Sequence, residues 1–573
     1  MRRKIIGIFV CMLMMTCVVP VYGTMSESNE KTPNIRVTLC KDSIGTPLYK
    51  RRLQDIISGK PLPVLEGTRP LLVILTSFIN EAPNTSHNAD YFDKMLFGPR
   101  PSLSDYYSEV SYGKFTYSRA DVLGWYKIYV TKRWAVNNFD KVVVKAVKAA
   151  DKEFNFATYD TNNDGVVTNE ELTLMVVFTG ASDSYNWWTE DEIPTNDDVL
   201  LEGHFCQTCE WVPMGIFAHE LGHDIGLPDL YDYDGDSNGT GQYCMMSSGG
   251  EGYIHMSAWC KIQMGWIVPT VITTSGTYTL NDAETHAEAL ILCDLTHSAL
   301  EYFLIENRYK GTSYDSIIGG KWSVPGDEVY INDLPDEGIL IYHVDENQAI
   351  RWYEERLSNV NDIEEHKAVD VECSDKPSSH FIDADDLDSL KNMGDENDLW
   401  DSTTYDFDDF SSPCNATWYD DTPSGFAIRD FSESGPTMTM YISNNYENKP
   451  PNIPTITGKK SGKVNTSYKY DVSTTDPEGG LVYYSIDWGD GSSTEWIGPK
   501  QSGSTQEIMH SWAEKGTYSV KVKAKDSFGA ESDWVTLSVS MPYSYDKPIL
   551  PFLQLLFQRF PNAFPLLRQL MGY

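Results

Sequence analysis

The stretch GIFAHELGHDIGLPDLYD, residues 215–232, decides how this chain folds and what it can do. His219 and His223 are four apart, so on a helix they share one face, one turn from each other. Two imidazoles so placed can hold one zinc ion at about 2.0–2.1 Å each. Glu220 stands beside the first of them, placed to act as general base on a metal-activated water without occupying the metal. Gly226 can end the helix with positive φ, and Pro228 prevents its restart. The chain therefore turns back, and Asp229 arrives ten residues after His219. A carboxylate oxygen is a competent zinc ligand, which makes Asp229 the expected third one. The competing ligand is Glu251, but SSGGEGY, residues 247–253, reads as a Gly-rich turn rather than a helix.

Outward from this motif, YCMMSSGG (243–250) places Met245 and Met246 in a tight turn. Met246 is expected to be the structural methionine of the turn that lies beneath the zinc in metzincins. Upstream, DTNNDGVVTNEE (160–171) puts Asp160, Asn162, Asp164, the Val166 carbonyl, Thr168 and Glu171 at positions 1, 3, 5, 7, 9 and 12 of a calcium loop. A strand rather than a helix is expected after it, so the ion would be structural. DYDGDSNG (232–239) is a further candidate cation loop.

The chain has 573 residues, too many for one core, and a formal charge of −38. That charge argues against nucleic acid or an anionic membrane as the main partner. At the N-terminus Arg2, Arg3 and Lys4 precede an apolar run, and Val21-Tyr22-Gly23 follows. This reads as a secretory signal peptide over 1–23, with an uncleaved anchor as the alternative. Residues 24–66 are polar and read as a pro-segment. Its Cys40 is either a cap on the metal before activation or an ordinary cysteine. Eight cysteines lie beyond the signal, an even number that permits disulfides in an exported chain. Cys206 and Cys209 form a lone C-x-x-C, read as structural thiols or a disulfide rather than a zinc knuckle.

The apolar run Leu71–Leu75 is expected to be a buried strand, as is Leu172–Thr179, while Phe139–Phe154 and Trp211–Ile225 are expected to be helices. The catalytic domain is thus placed at 67–270. Strand-like alternation dominates 271–443, a β-rich domain. NYENKPPNIPTITGKK (445–460) carries three prolines, and the linker is set at 444–451. Residues 452–542, with IDWGDGSS and the alternation from Tyr518 to Ala524, read as a β-sandwich. The apolar tail 543–573 is broken by Pro551, Pro561 and Pro565 and is too interrupted for a standard membrane span. It either packs on the sandwich or associates with the cell surface.

These motifs together resemble the immune inhibitor A family of secreted metalloendopeptidases. The resemblance is carried by DYYSEVSYGKFTYSRADVLGWY (105–126), DTNNDGVV, GIFAHELGHDIGLPDLYD and CMMSSG, then EYFLIENR (301–308), GILIYHVDE (338–346), HKAVDVE (366–372) and GDENDLW (394–400). It implies a multidomain protein: an α/β, metzincin-like zinc peptidase made as a precursor, a β-rich domain behind the active site, and an Ig-like β-sandwich. It implies His219, His223 and Asp229 on zinc, Glu220 as the catalytic base, and protein or peptide substrates. It also implies calcium at Asp370, Glu372, Asp395 or Asp398. Residues 452–542 resemble a PKD-type module, a spacer or a binding unit for polymers, proteins or the cell surface. The competing reading from another class is a catalytically inactive cell-surface adhesin on a peptidase scaffold. The intact Glu220 argues against it.

Overall fold

The computed structural model describes residues 56–57, 60, 62–541 and 558–560, except 183, 190, 234–236, 299, 312, 317–320, 325–326, 331–333, 356–360, 362, 364–365, 375–393, 410, 412–413, 445–448, 478–480 and 527–528. The expected signal peptide, most of the pro-segment including Cys40, and nearly all of the C-terminal tail lie outside the described residues. The chain divides into two compact units, Met1–Glu447 and Asn448–Tyr573.

The first unit is built around a five-stranded sheet. Its strands are β1 (Gly67–Ser77), β2 (Phe115–Lys127), β3 (Thr173–Phe178), β4 (Tyr185–Trp188) and β5 (His204–Cys209), in the order β2-β1-β3-β5-β4. β1 runs parallel to β2 and β3, β3 runs parallel to β5, and β4 closes the edge antiparallel. Strands buried on both faces read as continuous apolar runs. Leu71 to Leu75 are fully buried, and β3 is buried at all six positions. β1 is longer than its apolar run because Gly67–Pro70 pair with β2 alone, before two-sided pairing begins at Leu71.

Helices α1 (Ala89–Phe97) and α2 (Leu103–Val110) lie between β1 and β2 in sequence, and α3 (Phe139–Ala150) precedes β3. α3 ends four residues before the expected Phe154. That ring leaves the helix to stack on Tyr159, with centroids 5.4 Å apart, and to meet Phe156 at 4.9 Å. After β5 comes α4 (Met214–Asp224). It starts at Met214 rather than Trp211 because Pro213, with ψ 165°, stands extended at the N-cap. A short helix α5 (Ala258–Gln263) closes this part.

Two sheets follow. Strands β6 (Thr270–Val271), β8 (Leu290–Leu292), β9 (Glu301–Arg308), β10 (Gly338–Asp345) and β11 (Val369–Val371) form one, in the order β11-β10-β9-β8-β6. The other holds β7 (Gly276–Asn281), β12 (Phe407–Asp408), β13 (Phe426–Arg429) and β14 (Thr437–Asn444), in the order β7-β14-β13-β12. The expected β-rich character of 271–443 is interrupted by helix α6 (Glu346–Glu355), which the strand-like alternation does not foretell. Its start signal is Asp345, whose Oδ1 accepts the Asn347 N–H at 2.8 Å as an N-cap does. Glu346 is buried, and its Oε1 accepts from Tyr302 hydroxyl at 2.7 Å and from Trp259 Nε1 at 3.1 Å.

The second unit carries a three-stranded sheet (Thr455–Gly458, Tyr468–Ser473, Thr505–His510) and a four-stranded one (Ile497–Lys500, Val482–Asp487, Gly516–Asp526, Val535–Met541). Val520, Val522 and Ala524 point into a core with Tyr470, Trp488 and Trp512, which is the alternation of the sequence realised as one buried face.

Candidate metal centre

Helix α4 is anchored by Phe217, Ala218 and Leu221, all fully buried, and this turns His219 and His223 to one side. Their ring centroids are 4.8 Å apart at an interplanar angle of 89°. Beyond the helix, Gly226 takes φ +99°, and Leu227 N–H returns to the Gly222 carbonyl at 3.0 Å. That reversal brings Asp229 back over the helix. Its Oδ1 lies 2.9 Å from His219 Nε2 and 3.1 Å from His223 Nε2.

The protons of this cluster are set by its surroundings. His219 Nδ1 lies 2.9 Å from the Met245 carbonyl, and His223 Nδ1 lies 2.8 Å from the Leu227 carbonyl. A carbonyl only accepts, so each Nδ1 carries the hydrogen and each Nε2 offers a lone pair. Tyr233 hydroxyl donates to Asp229 Oδ2, which leaves Oδ1 facing the two imidazoles. With both rings neutral, three electron-pair donors thus converge in one place. Two imidazole nitrogens and one carboxylate oxygen are a donor set that fits zinc. Among the described residues, this is the one trio of His, Cys, Asp or Glu whose ligand atoms lie within 4.8 Å of one another. With protons alone to balance the charge, burial opposes ionisation of both partners, yet their attraction prevails. Asp229 is held well below the usual carboxylate range, and His223 is pushed up to about 9.

Glu220 is also buried, beside but outside the trio. Burial pushes its carboxyl up to about 7, against the pull of His219 and His223 and with help from Asp229. The Glu220 carbonyl accepts from Asn186 Nδ2 and Cys206 Sγ, each at 3.4 Å. The helix is thereby tied to the edge strand β4 and to its neighbour β5.

Met246 lies under α4. A Cβ at Gly222 would stand 2.3 Å from Met246 Sδ and 3.0 Å from its Cε, so only glycine lets the two surfaces meet. Gly222→Ala is expected to destabilise the protein by about 1–3 kcal/mol, as overpacking of a filled core does. Urea denaturation reads this directly. The turn is also joined to the Asp229 segment, because Leu230 N–H donates to the Met246 carbonyl at 2.7 Å. From the β-rich side, the buried Arg308 donates to the Tyr243 carbonyl at 2.8 Å and pairs with Glu284 and Asp315.

Sequence reasoning missed the residues that hold α4 in place. Asp224, next to His223, accepts through Oδ2 from Arg69 at 3.0 Å, Tyr117 hydroxyl at 3.0 Å and Thr173 hydroxyl at 3.1 Å. His204 Nδ1 lies 3.7 Å from its Oδ1, and His204 Nε2 meets Asn186 Oδ1 at 2.6 Å. Tyr107 hydroxyl donates to the Ala218 carbonyl at 2.7 Å. Tyr107 and Tyr117 of DYYSEVSYGKFTYS are therefore struts for the helix. Asp224→Ala is expected to lower stability by about 3–5 kcal/mol, since it leaves a buried guanidinium uncompensated. A thermal melt tests this.

The calcium-loop residues surround one turn. Asp160 accepts from the N–H groups of Asp164 and Gly165, Asn162 from Asp164, and Asp164 from Val166. Glu171 folds back so that its two oxygens reach the N–H groups of Thr161 at 2.8 Å and Thr168 at 3.0 Å. The short strand Val166–Val167 lies within the loop, and strand β3 (Thr173–Phe178) follows it, as expected. In the 232–239 loop Asp232 accepts from Ser237 N–H, while 234–236 lie outside the described residues. Asp370 and Glu372 lie on and next to strand β11, and Asp395 N–H donates to Asp398 Oδ2 at 2.7 Å. Asp370 pairs with Lys367, Glu372 lies 3.5 Å from His343, and Asp398 accepts from Tyr243 hydroxyl. Cys206 and Cys209 lie on strand β5, with no disulfide joining them. An extended i, i+3 pair is about 10 Å apart, beyond disulfide reach, so this C-x-x-C is a pair of structural thiols.

Residues 178–260 match the family model for the immune inhibitor A peptidase M6 catalytic domain, and residues 448–541 match that for the PKD domain. No curated protein matches the chain. Among solved structures, the PKD domain of an M14-like peptidase from Thermoplasmatales archaeon SCGC AB-540-F20 is 52% identical, covering 17% of this chain and 98% of its own, with a TM-score of 0.16. The PKD domain of the human VPS10 domain-containing receptor SorCS2 is 18% identical, covering 18% of this chain and 83% of its own, with a TM-score of 0.14.

Proposed function

We propose that this chain, a peptidase of the immune inhibitor A M6 family with a C-terminal PKD domain, is a secreted zinc-dependent endopeptidase that hydrolyses peptide bonds of extracellular proteins. The observation that carries the reading is the convergence of His219 Nε2, His223 Nε2 and Asp229 Oδ1, with Glu220 buried beside them. When bound, zinc supplies a Lewis acid that polarises a carbonyl and makes water acidic near neutrality. The two histidines and Asp229 would hold it, each imidazole oriented by the carbonyl behind its Nδ1. Glu220 acts as general base: it takes a proton from the attacking water and returns it to the leaving amine. The metzincin-like reading of this domain belongs to the same proposal, resting on the mixed sheet, the motif helix and Met246 beneath it. β4 stands at the edge of the sheet beside α4, the position at which an extended peptide would add as a further strand.

Calcium belongs to the proposal as a structural ion at Asp160, Asn162, Asp164, Val166, Thr168 and Glu171. The reading is supported by the way Glu171 closes the loop on its own first residues. Export by residues 1–23, a pro-segment to about residue 66, and a spacer role for the PKD domain complete it. The test is casein cleavage by the processed protein. Activity is expected to vanish on chelation and to return with zinc. A processed, zinc-loaded protein that cleaves nothing would leave the adhesin reading standing instead.

A further inference from the structure

Cys244 and Cys260 are both free and fully buried, and their sulfurs are 3.7 Å apart. Cys244 opens the methionine turn, and Cys260 lies in α5. The metal centre does not use either thiol. From this contact we propose that Cys244 and Cys260 are a disulfide-forming pair, which in the exported protein rivets the methionine turn to α5.

The geometry is close to that of the bond. A disulfide needs about 2.05 Å between sulfurs, so the pair must close by about 1.7 Å from the contact seen here. Small rotations about both Cα–Cβ bonds supply that movement. The two thiols are also unlike. Cys244 Sγ accepts the N–H groups of Met246 at 3.4 Å and Ser257 at 3.3 Å, and Ser257 hydroxyl is 3.4 Å away. Burial opposes a thiolate at both, but these contacts and the Cys260 sulfur draw Cys244 below the usual thiol range, while Cys260 is pushed above it.

The reaction is thiol–disulfide exchange. Two S–H bonds break and one S–S bond forms. The two electrons and two protons pass to a protein or small-molecule disulfide of the oxidising compartment, which is reduced to two thiols. Because both sulfurs are shielded in the folded protein, exchange belongs to folding, before α5 packs on the turn. The closed loop, 244–260, contains Met245, whose carbonyl orients His219. The bond thus constrains the backbone that aims a proposed zinc ligand. Its existence rests on export into an oxidising compartment, not on the identity of the metal.

The test is peptide mapping of the secreted full-length chain, alkylated in denaturant with and without prior reduction. Without reduction, the peptides holding Cys244 and Cys260 are expected as one linked species, two hydrogens lighter than the separate dithiol peptides. In Cys244→Ser, Cys260 is expected to alkylate without reductant. Reductant is expected to lower the wild-type melting temperature by several degrees and to leave that of the C244S/C260S variant unchanged. Refolding the purified chain in oxidised and reduced glutathione reads the same pairing without secretion, which separates failure of export from failure of the pair. Alkylation of both thiols without reductant in either preparation, or linkage of either to another cysteine, would overturn the proposal.

Discussion

Replacing Glu220 by Gln is expected to lower kcat on casein by about 10²–10⁴-fold, the range in which general acid–base catalysis operates. Gln keeps the size and the hydrogen-bonding reach of the side chain but cannot accept a proton at neutral pH. Zinc stoichiometry and melting temperature are expected to be unchanged, because Glu220 lies outside the ligand trio. The KM should move little. A variant with wild-type kcat would remove Glu220 from the mechanism, and one that lost zinc would make it a ligand instead.

The second large effect is expected at Asp229. Its Oδ1 faces both imidazoles, and its Oδ2 takes the Tyr233 hydroxyl, so both oxygens are engaged. Removing a residue that merely orients a ligand weakens metal binding about 10–100-fold, so Asp229→Ala is expected to exceed about 100-fold. Competition with a zinc-binding dye measures this. The fold should survive, because α4 is held by Asp224 and Arg69 rather than by Asp229. Zinc and activity retained in this variant would move the third ligand to Glu251.

How much of this was legible depends on sequence distance. The trio lies within eleven residues, and its geometry follows from helical period and one Gly-Pro turn, so local rules suffice to place it. The calcium-loop residues were readable for the same reason. Arg69 and Asp224 are 155 residues apart, and Tyr117 and Asp224 are 107 apart. Nothing in either segment marks the partner, and a buried Arg in an apolar strand looks like an interruption until the carboxylate is found. Helix α6 was missed because its polar sequence follows directly on the strand GILIYHVD, whose alternation dominated the reading. The partners of the implied calcium carboxylates were also illegible: Lys367 beside Asp370, His343 beside Glu372 and Tyr243 beside Asp398 become visible only in the fold.

The central claim is a zinc ion between helix α4 and the segment after it. Anomalous diffraction above and below the zinc edge from crystals of the processed enzyme tests it most directly. The account predicts one strong peak bound by His219 Nε2, His223 Nε2 and Asp229 Oδ1, with Glu220 free of the metal. A peak with Asp229 turned away, or a zinc-active enzyme with no peak at this trio, would contradict it.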